Sequence, residues 1–455
     1  MKNEKQMVFL VEKINSQGQG ISHLDDGKVV FIDGVLPGEK VIGRIGTEKT
    51  NYALCDPVEI IESHPQRVVP PCEWYGQCGG CQLQHCSYGL QLELKKQILE
   101  DALYRIGKID RHVSVAPCVP SPLTLGYRNK ASFPLRDKNG SLMPGFFRKR
   151  SHNLVHIKNC ILIDQDLQHL FGRMSGLFEL MGSEGYDEKR HRGIFRHMIL
   201  RKAVSTGEIL LCLVVAREPG NKWKERSIRF YHALAEKVPA IKGFLINVNP
   251  LRTNTILGPL TSVTAGKRLL DDRLGDYSLS YDGTAFFQVN PYQAEGMFKY
   301  VSSEISLSGA KDILELYSGV GALTVFLAGS VRSITAVEDW PSAVDSMNYN
   351  LAKNRIFNVR AYCGKAEELI SHMAEEGFDS VVLDPPRSGC KKEVLKIITN
   401  NIRPESIVYI SCNPATLARD LGDLIREGYY IRKVQPFDMF PQTYHVETVV
   451  TLGKI

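Results

Sequence analysis

Two residues near the carboxyl end of the chain have side chains suited to covalent chemistry on a heterocycle. Cys412 follows the apolar run SIVYIS and precedes Asn413 and Pro414, within ISCNPATLARD. Most cysteines are small buried hydrophobes, but one at a strand end, where a helix begins, is open to a ligand. Further on, DMFPQTYHVETVVTL places His445 and Glu447 just before a last apolar run. A thiol and a carboxylate are what alkylation at carbon 5 of a pyrimidine requires. That carbon is too weak a nucleophile to attack a sulfonium methyl. A thiolate adding to carbon 6 makes an enolate and turns carbon 5 into the nucleophile. A base must then take the carbon 5 proton so that the thiolate can leave. Cys412 is the candidate for the first role and Glu447 for the second. Chemistry on a base face also needs the nucleotide unstacked into a pocket.

A second constellation suits a nucleoside cofactor. DILELYSGVGALTVFLA reads as a strand carrying an acidic residue, a turn with Gly319 and Gly321, and a helix. The glycines permit a tight turn and close backbone approach. The next strand ends in Glu338, whose carboxylate can accept both hydroxyls of a ribose, and a third ends in Asp384 within LDPPRSG. A GxGxxG pattern is absent, which argues against a dinucleotide. Enzymes that methylate amino groups often place an aromatic after a Pro-Pro pair; here Arg387 stands there, which argues against an exocyclic nitrogen as target.

Eleven cysteines are present, an odd number, and a reducing compartment disfavours disulfides. Cys72, Cys78 and Cys81 have the spacing C-x5-C-x2-C, and Cys160 lies far downstream in HIKNC. Four thiolates suit zinc or an iron–sulfur cluster. Cys86 stands close to the trio but ranks below Cys160. Cys55, Cys118, Cys212, Cys363 and Cys390 read as core or incidental.

These residues need a scaffold, and the pattern predicts an α/β protein in three parts. Residues 1–63 read as short strands (MVFLVEKI, KVVFIDGVL, EKVIGRIGT) with turns at DDGK and LPGE, the mark of a small OB-like barrel. Residues 64–275 form a central α+β domain. It holds the cysteine loop, a helix over 90–106 with Leu92, Leu99, Leu103 and Ile106 on one face, and then strands and turns such as EILLCLVVA. That helix could instead pack on the catalytic part. Residues 276–455 alternate strand and helix, the signature of a doubly wound parallel sheet with ligands at the carboxyl ends of its strands.

The net charge of +6 and pI near 8.6 suit a polyanionic partner without requiring one. PGFFRKRSHNLVHIK (144–158), EKRHRGIFRHMILRK (188–202) and LGYRNKASF (125–133) interleave cations with aromatics, as a surface for phosphates and splayed bases does. No apolar run of spanning length and no signal peptide is visible, so a cytoplasmic protein without a membrane partner is expected.

FFQVN (286–290), ELYSGVG (315–321), DPPR (384–387), SCNPATLARD (411–420) and DMFPQTYHVE (438–447) together resemble the RNA uracil-5-methyltransferases over almost the whole chain. The amino-terminal barrel resembles a TRAM domain. The resemblance implies S-adenosylmethionine as cofactor, contacted by Gln288, Tyr317, Glu338 and Asp384, with Cys412 as nucleophile and Glu447 as proton acceptor. It further implies a [4Fe–4S] cluster on Cys72, Cys78, Cys81 and Cys160, the pattern of a subgroup acting on 23S rRNA. One position departs: Lys365, in GKAEE, stands where Asp or Asn is expected near the adenine. A monomer acting on 23S rRNA is the reading this implies. The alternatives are a tRNA enzyme and an iron–sulfur RNA-binding protein with an inert catalytic domain.

Overall fold

The computed structural model describes residues 6–138, 141–174, 184–218, 220–253 and 255–455; the first five residues of the expected barrel lie outside these. The barrel strands are β1 (Gln6–Leu10), β2 (Lys13–Ile14), β3 (Gln19–His23), β4 (Val29–Asp33), β5 (Lys40–Glu48) and β6 (Tyr52–Glu62). They form one sheet in the order β1-β5-β6-β4-β3-β2. Alternation puts Phe9, Val11, Val30, Ile32, Val41 and Ala53 inside. The cysteine loop follows, then α1 (Tyr88–Arg105), capped by the Ser87 hydroxyl accepting from the Leu90 N–H.

The middle of the chain contains β7 (Lys130–Lys138), β8 (Ser141–Pro144), the short pair β9 (Phe146–Phe147) and β10 (Leu154–Val155), and α2 (Gln165–Met174). Next come β11 (Phe195–Lys202), β12 (Ile209–Val215), α3 (Asn221–Lys237), β13 (Ile241–Val248) and β14 (Leu260–Gly266). The long strands form a sheet in the order β14-β13-β12-β11-β7-β8. β12, ILLCLVV, is buried throughout, as expected of a strand covered on both faces. The hairpin β15 (Leu269–Leu274) and β16 (Tyr277–Asp282) leads to α4 (Pro291–Ser308). The Asn290 side chain caps α4, Pro291 occupies its first turn, and left-handed Gly309 ends it.

The rest alternates as expected: β17 (Asp312–Leu316), α5 (Thr324–Ala328), β18 (Ser333–Glu338), α6 (Pro341–Lys353), β19 (Val359–Cys363), α7 (Ala366–Met373), β20 (Ser380–Leu383), α8 (Lys392–Ile397), β21 (Ser406–Ser411), α9 (Pro414–Arg426), β22 (Tyr429–Phe437) and β23 (Glu447–Lys454). This is a mixed α/β fold, with an amino-terminal β-rich part and a carboxyl-terminal part in which strands and helices alternate.

Contacts divide the chain into two compact units. The first holds residues 1–124, 385–399 and 409–455; the second holds 125–384 and 400–408. In the second unit, β19, β18, β17, β20 and the start of β21 lie side by side, with β17, β18, β19 and β20 parallel. In the first, the end of β21 is followed by β23 and β22, and the last two are antiparallel. There α1 packs on α9, closely enough that Gly107 and Gly422 leave no room for a side chain.

The buried face of α1 differs from the expected one. Leu90, Leu94, Ile98, Leu99 and Leu103 are buried, together with Gln91 and Lys95, while Ile106 is 51% exposed. Two buried polar residues interrupt the apolar repeat, so the apolar pattern points to a rotated face. The expectation of strands and turns after that helix also missed α2 and α3. No described helix is long and apolar enough to cross a membrane.

Candidate active site

The nucleophile candidate sits where β21 ends. Cys412 is half-buried, and Asn413 beside it caps α9 by accepting from the Ala415 N–H at 3.1 Å. The Asn413 amide donates to the Arg387 carbonyl at 3.0 Å, and the Thr416 hydroxyl donates to the same oxygen at 3.2 Å. The PPRSG loop is thereby tied to the turn that bears the cysteine. Asp420, 1% exposed, secures it further. Its carboxylate accepts from the Cys390 N–H at 2.9 Å, the Tyr409 hydroxyl at 2.5 Å and Arg419 Nε at 2.8 Å. Arg419 also donates to the Ser388 carbonyl at 2.9 Å. Gly389 is left-handed at φ +76, and a Cβ there would stand 2.5 Å from both Arg419 and Asp420. The tight loop requires glycine.

Glu447, 4% exposed, is the first residue of β23 and pairs with Phe437 across from β22. The crossover through α9 makes β22 run with β21, so antiparallel β23 starts at the edge where β21 ends. Topology therefore brings Cys412 and Glu447 to one edge of the sheet within the first unit. The His445 ring lies tilted against Tyr444, with centroids 4.3 Å apart, in the turn before it.

The four cofactor candidates belong to the second unit. Glu338 ends β18, and its two carboxylate oxygens accept from the Gly319 and Trp340 N–H groups, both at 2.9 Å. Burial raises its pKa, against the pull of those two bonds. Tyr317 is left-handed at φ +65, a strained conformation for a non-glycine residue, costing about 1–2 kcal/mol. It is held because the Tyr317 and Ser318 N–H groups both donate to the Val337 carbonyl, at 2.9 and 3.1 Å. Gly319 and Gly321 are left-handed too, and a Cβ on Gly319 would meet open space. Gln288 is half-buried in the loop between β16 and α4. The Arg201 guanidinium grips that loop at the Phe287 carbonyl at 3.0 Å, and the Asn129 N–H donates to Val289 at 3.0 Å. Asp384 follows β20, partly exposed by area yet ringed by protein atoms, and burial pushes its carboxyl up to about 7. Glu315, behind the glycine turn, is pushed up to about 8 by burial, and one of its oxygens has no hydrogen-bond partner.

These groups of the second unit fit an adenosyl group. They offer a carboxylate held by main-chain donors, an open glycine turn, and Trp340, 54% exposed, beside Glu338. Trp340 escaped the sequence analysis, and Glu315 entered it only as the acidic residue of its strand. Trp340 was detectable as an aromatic two residues past the strand-end acid. Lys365 lies at the start of α7, where its ammonium pairs with Glu368 at 3.1 Å.

The cysteines divide likewise. Cys72, Cys78 and Cys81 are half-buried in one loop of the first unit, and Cys160 belongs to the second, lining a small apolar recess with Phe133, Ile157 and Phe171. The loop is shaped by hydrogen bonds. The Cys72 N–H donates to Gln84 Oε1 at 3.2 Å, the Tyr75 hydroxyl to the Gln82 carbonyl at 2.7 Å, and the Gly80 N–H to Cys78 Sγ at 3.4 Å. Among the described residues, no three His, Cys, Asp or Glu side chains form a group that could hold a metal ion. The donor chemistry fits a soft metal centre, but the side chains are not gathered for one. Cys86 is a core residue among Leu83, Leu90 and Leu94, its thiol pushed up to about 12 by burial.

The basic stretches only partly face solvent. Arg148, Arg150, Lys189, Arg190 and Arg192 are exposed. Arg196 and Arg201 are buried and spent on main-chain carbonyls, and Tyr127 and Asn129 are buried. Those four are structural, contrary to a surface role along the whole of each stretch.

Fold and site define an S-adenosylmethionine-dependent RNA methyltransferase. The chain belongs to the tRNA (uracil-5-)-methyltransferase family, whose profile matches residues 87–455, while a TRAM domain matches residues 3–58. An uncharacterized RNA methyltransferase of Halalkalibacterium halodurans is 37% identical over 97% of this chain and 95% of its own. One of Synechocystis is 40% identical over 97% and 94%. Among solved structures, the Pyrococcus abyssi tRNA (uracil-54, C5)-methyltransferase in complex with S-adenosyl-L-homocysteine superposes with a TM-score of 0.75. It is 26% identical, and the match covers 98% of this chain and all of that one.

Proposed function

We propose that the protein methylates carbon 5 of a uridine in 23S rRNA, with Cys412 as nucleophile and Glu447 as base. The observation that carries the reading is the convergence of these two residues at one sheet edge within one compact unit. Gln288, Tyr317, Glu338 and Asp384 would hold S-adenosylmethionine, which supplies an electrophilic methyl group when bound. The Cys412 thiolate adds to carbon 6 of the flipped base, and the electron pair moves to carbon 5, which becomes the nucleophile for the methyl group. Glu447 takes the carbon 5 proton, the double bond re-forms and the thiolate leaves. Asn413 and the PPRSG loop fix the turn that aims the thiol.

A tRNA uridine is the second reading. The Pyrococcus tRNA enzyme matches this chain along 98% of its length, barrel region included, so possession of a barrel does not separate the two substrates. Nucleoside mapping of rRNA and tRNA from a strain lacking the gene decides it. Loss of 5-methyluridine from 23S rRNA alone is expected; loss from tRNA alone overturns the rRNA assignment.

A [4Fe–4S] cluster on Cys72, Cys78, Cys81 and Cys160 belongs to the same proposal and rests on spacing, on donor chemistry and on the resemblance. Anaerobically purified protein should be brown, contain acid-labile sulfide and bleach on Cys78→Ser. Colourless protein with stoichiometric zinc overturns the cluster and leaves the methyl transfer standing.

A further inference from the structure

Between β22 and β23 the chain makes a nine-residue turn that delivers Glu447 to its strand. That turn is not self-supporting. Gln442, 8% exposed, is left-handed at φ +72, a conformation that costs a non-glycine residue about 1–2 kcal/mol. An outside clamp holds it. The Gln442 N–H donates to Gln91 Oε1 at 2.9 Å, and the Gln91 amide donates back to Gln442 Oε1 at 3.0 Å. A main-chain N–H can only donate, so the first bond fixes the orientation of the Gln91 amide. The Gln442 carbonyl accepts from the N–H groups of Gln82 and Leu83, at 3.1 and 3.0 Å, just past Cys81. One helical turn beyond Gln91, Lys95 pairs with Asp438, both fully buried, and donates to the Phe440 carbonyl at 3.0 Å.

Gln91 and Lys95 are four residues apart and share a face of α1. The start and the middle of the turn are therefore gripped by one helix, which also packs on α9, the helix that begins beside Cys412. A buried apolar residue would suffice to fill space at either position. Buried polar pairs add direction, since each bond fails when the turn shifts.

We propose that Gln91 and Lys95 are positioning residues for the proton-abstraction step, acting through Gln442 and Asp438 to aim Glu447. This rests on Glu447 being the base. A misaimed base leaves addition and methyl transfer intact and slows the elimination that follows, so the methylated protein–RNA adduct accumulates during turnover. Loss of structure acts differently: it lowers turnover and adduct together.

The test measures the fraction of enzyme in a denaturant-resistant RNA adduct at steady state, alongside turnover and S-adenosylmethionine affinity. The enzymes are wild type, Gln91→Met, the double variant Gln91→Met/Gln442→Met and Glu447→Gln. The double variant removes the Gln442 side-chain amide that Gln91→Met alone would leave facing an apolar group, while both variants lose the acceptor of the residue 442 N–H. We expect both Met variants to turn over about 10- to 100-fold more slowly, as misplacement of a reacting group by about 1 Å does. Adduct should be raised in proportion and cofactor affinity unchanged. Adduct falling with turnover, or wild-type behaviour, in both Met variants overturns the proposal. Adduct in Glu447→Gln but in neither Met variant removes the positioning role alone. Its absence from Glu447→Gln removes the base assignment and the proposal with it.

Discussion

At the scale of residues, the places of Cys412 and Glu447, a strand end and a strand start, were legible from the apolar runs on either side. Less was visible in the cofactor half. The strain at Tyr317 and the orphaned oxygen of Glu315 depend on main-chain geometry and burial, which residue type does not encode. Burial of Asp384 has a measurable consequence. A carboxyl raised to about 7 is mostly neutral at pH 6 and mostly charged at pH 8. S-adenosylmethionine carries a sulfonium charge and S-adenosylhomocysteine does not. Affinity for the former should therefore rise between pH 6 and 8, affinity for the latter should change less, and Asp384→Asn should flatten the difference. Calorimetric titration at the two pH values checks this; parallel behaviour of the two ligands would show that Asp384 does not sense the charge.

Elements with a continuous apolar signal were read correctly, as with β12, β20 and β21, each buried along its whole length. Those with a narrow or broken stripe were not. α3 buries only Trp223, Ser227, Phe230 and Leu234 in an otherwise charged helix. β19 has no fully buried residue and lies at the edge of its sheet, so nothing in VRAYC marks it. α1 was found, but its buried Gln91 and Lys95 turned the apparent face away from the true one. Buried polar residues of this kind cost stability when one partner is lost. Lys95→Ala leaves the Asp438 carboxylate buried without its cation, a change worth about 3–5 kcal/mol in comparable sites. Urea unfolding should report a loss of that size, whereas an effect near zero would mean that water reaches Asp438.

Across the whole molecule, the barrel is built into the first unit. Ile14 and Leu36 of the barrel share one buried cluster with Leu83, Leu90, Leu94 and Ile98. Glu39, fully buried, accepts from Arg67 Nε at 2.6 Å and from the His64 N–H at 3.1 Å, and Lys13 pairs with Asp101 of α1. A reading from composition treats such a barrel as a separate module, because shared burial between distant segments leaves no local pattern. Deleting residues 1–63 should therefore lower the unfolding midpoint as well as RNA affinity, since it uncovers the α1 cluster. An unchanged midpoint in differential scanning calorimetry would restore the picture of an independent module. The account as a whole stands on covalent addition by Cys412. RNA carrying 5-fluorouridine at the target stops the proposed reaction after methyl transfer, because carbon 5 then bears fluorine in place of the proton assigned to Glu447. Incubated with S-adenosylmethionine and digested, the trapped complex should yield one peptide bearing a methylated fluorouridine on Cys412, and Cys412→Ala should yield none. An adduct that maps to another residue, or that persists in Cys412→Ala, contradicts the account.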